Sequence, residues 1–136
     1  MVGDIFKKLG ELNFPLGEYV VVGGAVTAHG IRESEDLDIL VTPKLYQQLK
    51  KQGFKACTCQ ECIDTSRVLL SIKDVDILPN LILGDYLGDT KKLIEEADII
   101  NGFPFIKLEE LVKFKRVLGR EKDFKDIKLI EQYFKK

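Results

Sequence analysis

Apolar residues along this 136-residue chain follow two patterns, one typical of amphipathic helices and one typical of buried strands. Apolar positions at helical spacing in the first dozen residues predict a short amphipathic helix. Largely apolar runs at residues 17–24 and 36–41 predict two buried strands, the first ending at a glycine pair. Residues 25–30 between them are compatible with a short helix that stops at Gly30. The chain therefore begins with alternating helices and strands.

The middle of the chain carries start and stop signals for further elements. Thr42 and Pro43 supply an N-cap and a first-turn proline for a helix, and Gly53 stands where that helix should end. Residues 66–78 alternate and are rich in branched side chains, which predicts two strands joined by a turn near residues 73–74.

The C-terminal part is predicted to hold one helix, a hairpin and two final helices. Residues 90–97 have a helical pattern, and Asn101-Gly102 is a strong signal for a two-residue hairpin turn. The first final helix should close at Gly119, and the second should be entered near Asp123. This order predicts a single α/β (α+β) domain over residues 1–136, with a mixed β-sheet flanked by helices and followed by C-terminal helices.

The composition is that of a soluble globular protein, with 45% hydrophobic and 32% charged residues. No apolar run approaches the ~18 residues that a membrane-spanning helix needs. The first residues include acids, so they fit neither a signal peptide nor a transit peptide. We therefore expect a cytoplasmic protein with no membrane partner.

The net charge is only −1, but it is unevenly distributed. Residues 104–136 carry 10 Lys and Arg against 6 Asp and Glu, which leaves the rest of the chain acidic. An acidic front and a basic tail are suited to meet around an anionic, metal-bound ligand, although Lys-rich terminal helices are also often just solvated. The near-neutral total gives little electrostatic support for nucleic-acid binding.

Three cysteines, Cys57, Cys59 and Cys62, lie within six residues of one another. A structural zinc site usually has four ligands, so Glu61, Asp64 or the distant His29 would have to complete it. The sequence leaves three interpretations open for the cluster: a metal site, a disulfide or redox role, or ordinary loop or strand cysteines.

The glycine pair and the two acids that follow it are the strongest chemical signal. Gly23 and Gly24 stand between a predicted strand and a helix, where backbone N–H groups can face a phosphate. Asp36 and Asp38 are two residues apart on an apolar strand, so both side chains should project from one face. Two such carboxylates repel each other unless they share a cation, and Mg²⁺ prefers carboxylate oxygens of this kind.

A third carboxylate on a later apolar strand strengthens this signal. Asp76 is flanked symmetrically by Val75 and Ile77, and its strand could run beside the one that holds Asp38. Asp74 is the alternative third ligand. Three carboxylates can hold two metal ions ~3.5 to 4 Å apart, a spacing suited to in-line phosphoryl displacement.

These elements resemble the pattern of the DNA polymerase beta-like nucleotidyltransferase superfamily, which is Gly-Gly or Gly-Ser, then Asp-x-Asp, then a later Asp. The segment "GGAVTAHGIRESEDLDILV" is similar to small bacterial and archaeal nucleotidyltransferase-like proteins. The segment "KRVLGREKDFKDI" resembles the C-terminal motif of those proteins and of abortive-infection nucleotidyltransferases. The resemblance covers roughly residues 18–134, and the cysteine cluster lies outside the pattern.

The resemblance implies a minimal nucleotidyltransferase fold and transfer of a nucleoside monophosphate from a nucleoside triphosphate to an acceptor hydroxyl, with release of pyrophosphate. It implies two Mg²⁺ or Mn²⁺ ions and an acceptor that is a protein, an RNA or a small molecule. The implied catalytic and metal-binding residues are Asp36, Asp38 and Asp76. The implied nucleotide-binding residues are Gly23, Gly24, Arg32, Ser34, Lys115, Arg120 and Lys122.

Some of these residues have simpler interpretations. Ser34 is better suited to capping the turn before its strand than to catalysis, and His29 to packing or capping. Arg120 and Lys122 could instead complement the dipole at the end of one helix, or pair with Glu121, Asp123 and Asp126. A second function also stays open, in which an antitoxin-like or regulatory module keeps this fold to bind another protein, such as a toxin-like partner.

Overall fold

A mixed β-sheet forms the centre of the protein in a computed structural model, which describes residues 2–32, 37–60, 64, 68–72 and 75–135. Within these ranges the strands are β1 (Tyr19–Gly23), β2 (Leu37–Val41), β3 (Lys55–Ala56), β4 (Leu70–Ile72), β5 (Val75–Leu78), β6 (Ile82–Leu83), β7 (Tyr86–Leu87), β8 (Asp98–Ile100) and β9 (Phe103–Phe105). The helices are α1 (Val2–Leu12), α2 (Ala25–Ala28), α3 (Pro43–Lys51), α4 (Thr90–Glu95), α5 (Leu108–Leu118) and α6 (Glu121–Phe134).

The main sheet has the strand order β3-β4-β5-β2-β1-β9-β8, and β6 and β7 form a separate hairpin. Strand β2 pairs antiparallel with β1 and parallel with β5, so the sheet is mixed, as predicted. The central strands β1, β2 and β5 supply much of the buried core, and α1, α3, α5 and α6 each add buried apolar side chains to it. The predicted α+β class, with flanking and C-terminal helices, is confirmed.

Local signals in the sequence account for several element boundaries. The Thr42 side chain caps α3 by accepting a hydrogen bond from the Leu45 amide at 3.2 Å. Asn101 and Gly102 both have positive φ angles, 52° and 84°, which fits the predicted tight turn between β8 and β9. Gly119 ends α5 in the left-handed conformation.

Two features of the fold were not predicted. Strand β3 and the β6–β7 hairpin consist of two-residue strands, which are too short to produce a recognisable periodicity.

The predicted strand pair at residues 66–78 is confirmed as β4 and β5, while its turn at residues 73–74 lies outside the described residues. No helix in the described part of the chain is long and apolar enough to cross a membrane.

Candidate functional site

A continuous row of residues crosses five strands of the main sheet and contains two of the predicted acids. Its members face one another in register across neighbouring strands: Gly23, Asp38, Asp76, Ser71 and Lys55. Because cross-strand partners project from the same face, all five lie on one side of the sheet. The sheet therefore presents a polar row there.

Asp38 and Asp76 are direct partners on the parallel strands β2 and β5, which places their backbones on strands about 4.8 Å apart. The next residues, Ile39 and Ile77, are also partners and are fully buried on the opposite face. The strand alternation thus directs the isoleucines into the core and the acids away from it, and Asp76 is exposed. The prediction that the strand of Asp76 runs beside that of Asp38 is confirmed.

Gly23 is sterically required by its neighbour on β2. A Cβ atom built on Gly23 would lie 2.7 Å from Cγ of Asp38, a separation that real Cβ contacts do not tolerate. The pairing of β1 and β2 is irregular between Val21 and Gly23, so the strand bulges where it meets the acid. Gly24 follows with a φ of 112°, a conformation that side-chain-bearing residues rarely adopt. Both glycines therefore shape the turn above Asp38.

A second polar feature is an ion-pair cluster between the C-terminal helices and the segment after α2, which consists of Arg32, Lys115, Arg120, Asp123 and Asp126. Arg32 donates to both carboxylate oxygens of Asp126, from Nε at 2.6 Å and from Nη2 at 2.8 Å. Lys115 Nζ donates to Asp126 at 2.9 Å and lies 3.6 Å from Asp123. The cluster therefore joins α5 and α6 to the segment that leads into the acidic strand.

Arg120 forms a similar paired contact with the other buried acid. Its Nε donates to Asp123 at 2.6 Å and its Nη2 at 3.1 Å. The Arg120 backbone amide also donates to Asp123, so this acid caps the start of α6 as well. The alternative that Arg120 pairs with Asp123 is confirmed.

Both carboxylates of the cluster are held in the charged form. Their side chains are only 1% exposed for Asp123 and 6% for Asp126. Burial raises the pKa of Asp126, but hydrogen bonds from Arg32 and Lys115 outweigh it, so the pKa lies below the ordinary value. For Asp123, hydrogen bonds from Arg120 likewise outweigh the effect of burial and lower the pKa. Two buried anions thus hold three cations in place.

Arg120 connects the cluster with the polar row. Its pKa is raised, first by the hydrogen bond with Asp123, with further contributions from the charges of Asp123, Asp38 and Asp126. The Arg120 side chain is also 51% exposed, so its guanidinium is accessible to solvent. The charge of the acidic strand thus acts on a cation of the basic tail.

The structure describes only some of the remaining predicted site residues. Asp36 and Ser34, together with the alternative ligand Asp74, lie outside the described residues. Lys122 is exposed on α6. The structure therefore brings together Gly23, Gly24, Asp38 and Asp76 on the sheet and Arg32, Lys115 and Arg120 in the cluster. The roles assigned to these residues stay predictions.

His29 lies beyond the glycine turn, at the C-terminal end of α2. Its ring packs edge-on against Tyr133, and its Nε2 atom is 3.9 Å from Asp98. Burial lowers the pKa of His29, although the charges of Asp98 and Glu109 oppose this effect. These contacts support a packing role for His29.

The donor chemistry of the row fits a magnesium site. Asp38 and Asp76 offer carboxylate oxygens on adjacent strands, and Mg²⁺ is commonly bound by one or two carboxylates plus substrate phosphates and water. Among the residues that the structure describes, no three His, Cys, Asp or Glu side chains form a metal-binding group. Asp36, the third predicted ligand, does not belong to that set.

A large cleft lies at the other end of the central strands. Its volume is about 830 Å³, and it is lined by residues that follow β2 and β5, by α4, and by the β8–β9 hairpin. Leu16 and Ile99 on its wall are 67% and 64% exposed. Because Asp38 stands near the start of β2 and Thr42 follows its end, the cleft is separate from the acidic row.

The sequence did not indicate that Ser71 and Lys55 share a row with the acids. Their positions in the row depend on how β3 pairs with β4, and β4 with β5, near one edge of the sheet. The periodicity of a single strand does not encode that pairing. The sequence indicates Asp123 and Asp126 only as partners of basic residues. Their spacing of three residues within a predicted helix, which places both on one face, is the signal it holds.

Comparison of the sequence with protein-family models gives no match, and a search of curated proteins finds none with significant similarity.

Proposed function

We propose that this protein is a metal-dependent nucleotidyltransferase that transfers a nucleoside monophosphate from a nucleoside triphosphate to an acceptor hydroxyl. The observation that carries the proposal is the pairing of Asp38 and Asp76 on adjacent parallel strands, with Gly23 opposite Asp38 on the third strand. Three separate segments of the sequence thus converge on one face of the sheet, and this convergence supports the proposal.

Asp36, Asp38 and Asp76 would hold two Mg²⁺ or Mn²⁺ ions. When bound, these ions would neutralise the charge of the triphosphate and of the departing pyrophosphate. The carboxylates themselves position the ions, and the absence of a Cβ atom on Gly23 keeps Asp38 close to the glycine turn. The backbone at Gly23 and Gly24 would face the phosphates.

Arg120 is the cation best suited to contact the triphosphate. The charge of Asp38 contributes to its raised pKa, and its side chain is half exposed. Its hydrogen bonds to Asp123 are donated by Nε and Nη2. Nη1 would be directed to a phosphate oxygen, since arginine recognises phosphates through several N–H groups at once. Lys115 and Arg32 are tightly engaged with Asp126 and would support the site mainly through their positive charge.

Binding and transfer are tested separately. Isothermal titration with each common nucleoside triphosphate in Mg²⁺ or Mn²⁺ should show metal-dependent binding. Asp38→Asn and Asp76→Asn should each weaken it by about tenfold or more, or about 1.4 kcal/mol. Glu95→Gln is the matched control, because it removes one negative charge from an exposed position near the separate cleft. Equal binding by the control and the Asp38 variant would refute the assignment of the site.

The transfer reaction is tested with labelled triphosphates and cell extract. Label should appear on a protein, an RNA or a small molecule with the wild-type protein, and not with the Asp38→Asn/Asp76→Asn double variant. Appearance of the same label with the double variant would attribute the transfer to another enzyme. The class of molecule that carries the label identifies the acceptor.

The second candidate is a partner-binding module, and the apolar cleft favours it. Leu16 and Ile99 expose large apolar surfaces on the walls of the cleft, which is typical of sites that bind another molecule. If no nucleoside triphosphate binds, partner binding replaces nucleotidyl transfer as the proposed function. Leu16→Asp and Ile99→Asp should then abolish the association with a partner protein, whereas the Asp38→Asn variant should retain it.

A further inference from the structure

The cysteine segment has no place in the proposed function, but two of its thiols lie close together. Cys57 Sγ donates a hydrogen bond to Cys59 Sγ across 3.1 Å. The two thiols are not joined by a disulfide, Cys59 is exposed, and Cys57 is partly exposed. Oxidants in solution can therefore reach two sulfur atoms that already lie close together.

We propose that Cys57 and Cys59 form a redox-active dithiol that closes into an intramolecular disulfide on reaction with a low-molecular-weight disulfide. The inference does not depend on the nucleotidyltransferase proposal. It concerns the open edge of the sheet, at the end of β3, whereas the acids lie on central strands.

The local backbone holds the pair in place. The Cys57 amide donates to the Leu69 carbonyl at 2.8 Å, which extends the pairing of β3 with β4 by one residue. The Cys59 amide in turn donates to Cys57 Sγ at 3.5 Å. The chain thus bends back on the first sulfur immediately after the strand. Bond formation requires the sulfurs to approach by only about 1 Å, to the usual length of about 2.05 Å.

The exposures assign an order to the two thiols. Cys59 is the more exposed, so its sulfur is the attacking nucleophile. Its thiolate attacks one sulfur of the small disulfide, which forms a mixed disulfide and releases one small thiol. Cys57 then attacks the Cys59 sulfur, and the second small thiol leaves. The protein loses two hydrogens, and the small disulfide gains them.

A disulfide at this spacing is suited to reversible chemistry rather than to stabilisation. Cysteines two residues apart close a very short loop, and the stabilisation that a disulfide gives by constraining the unfolded chain grows with loop length. An exposed disulfide is also readily attacked by external thiols. The pair therefore fits a site that is oxidised and reduced in turn.

The proposal is tested with the full chain and glutathione as the probe. The Cys62→Ser variant removes the third cysteine, so that any change in mass belongs to the proposed pair. After incubation with oxidised glutathione and alkylation in acid, mass spectrometry should show the loss of two hydrogens, no bound glutathione and no alkylated thiol. Reduced glutathione should restore both alkylation sites.

Two further variants test the assigned order. In the Cys57→Ser/Cys62→Ser variant, glutathione should stay attached to Cys59, because the resolving thiol is missing. In the Cys59→Ser/Cys62→Ser variant, the adduct on Cys57 should form several-fold more slowly. A Cys62→Ser protein that carries two glutathiones, stays fully reduced, or holds a stoichiometric zinc ion that blocks oxidation would overturn the proposal. Closure seen only when Cys62 is present would overturn it as well.

Discussion

The buried ion-pair cluster predicts that Asp126→Asn strongly destabilises the protein. The asparagine has nearly the same volume as the aspartate but lacks its charge, and the carboxylate of Asp126 is 6% exposed and accepts three hydrogen bonds from two cations. Removing one partner of a buried ion pair leaves the other charge buried and uncompensated, at a typical cost of about 3 to 5 kcal/mol.

The structure places this substitution at the lower end of that range. Lys115 is 14% exposed but keeps Asp123 at 3.6 Å, and Arg32 is partly exposed and can turn toward water. We therefore expect a loss of about 3 kcal/mol in the free energy of unfolding. In a domain of this size the loss corresponds to a decrease in melting temperature of about 10 °C.

Urea unfolding followed by far-ultraviolet circular dichroism measures this loss. The matched control is Asp85→Asn, an exposed aspartate in the turn of the β6–β7 hairpin, which should change stability by less than about 0.5 kcal/mol. Combining Asp126→Asn with Lys115→Met in a double-mutant cycle isolates the pair, and their losses should be clearly less than additive. A loss below about 1 kcal/mol for Asp126→Asn would refute the reasoning.

The pH dependence of the same variant gives an independent measurement. Hydrogen bonds to the carboxylates lower the pKa of Asp123 and of Asp126 in the folded protein despite their burial. Their contribution to stability is fully present above the unfolded pKa of about 3.9 and is lost as the pH falls through the lower, folded pKa. The wild-type protein should therefore lose stability below about pH 4, and Asp126→Asn should lose less over that interval.

Other substitutions test separate parts of the structure. Gly23→Ala should weaken triphosphate binding and destabilise the fold by about 1 to 3 kcal/mol, because its Cβ atom would displace Asp38. Gly10→Ala has open space around the new Cβ atom and should stabilise α1 by up to about 1 kcal/mol. Calorimetric titration and urea unfolding compare the two, and equal effects would contradict the steric role. Thr42→Ala should cost about 1 kcal/mol by urea unfolding, through loss of the α3 cap, and Thr42→Ser should restore most of it. Burial lowers the pKa of His29, so stability should decrease as the pH falls below the unfolded value of about 6.5, and His29→Gln should flatten this dependence between pH 5 and 7. An unchanged slope for His29→Gln would contradict the last prediction.

The sequence predicted the parts of the fold that depend on local chemistry. The Thr42 cap and the Asn101-Gly102 turn depend on residues within a few positions of one another, and both were recognised. Apolar flanking residues also mark Asp38 and Asp76 as exceptions on buried strands, and the sequence allows the two strands to run side by side. The register that makes the two acids direct partners is not predicted by either local pattern.

Contacts between distant segments could not be predicted in the same way. The bond between Arg32 and Asp126 joins residues 94 positions apart, and nothing in either local pattern selects the other. The steric need for Gly23 likewise arises only once β1 and β2 are paired across their bulge. Both depend on tertiary packing, which local patterns and propensities do not specify.

The long reach of the Arg32–Asp126 contact also sets an order for folding during synthesis. Strands β1 and β2 and their turn leave the ribosome long before α6, so the loop closed by this contact is among the last to form. Contacts of such high sequence separation slow the folding of a domain, because much of the chain must be ordered before they form. A nascent chain therefore carries Arg32 and Lys115 without their shared anion until residue 126 is available, and the segment after its glycine turn is joined to α6 only once that helix has been made.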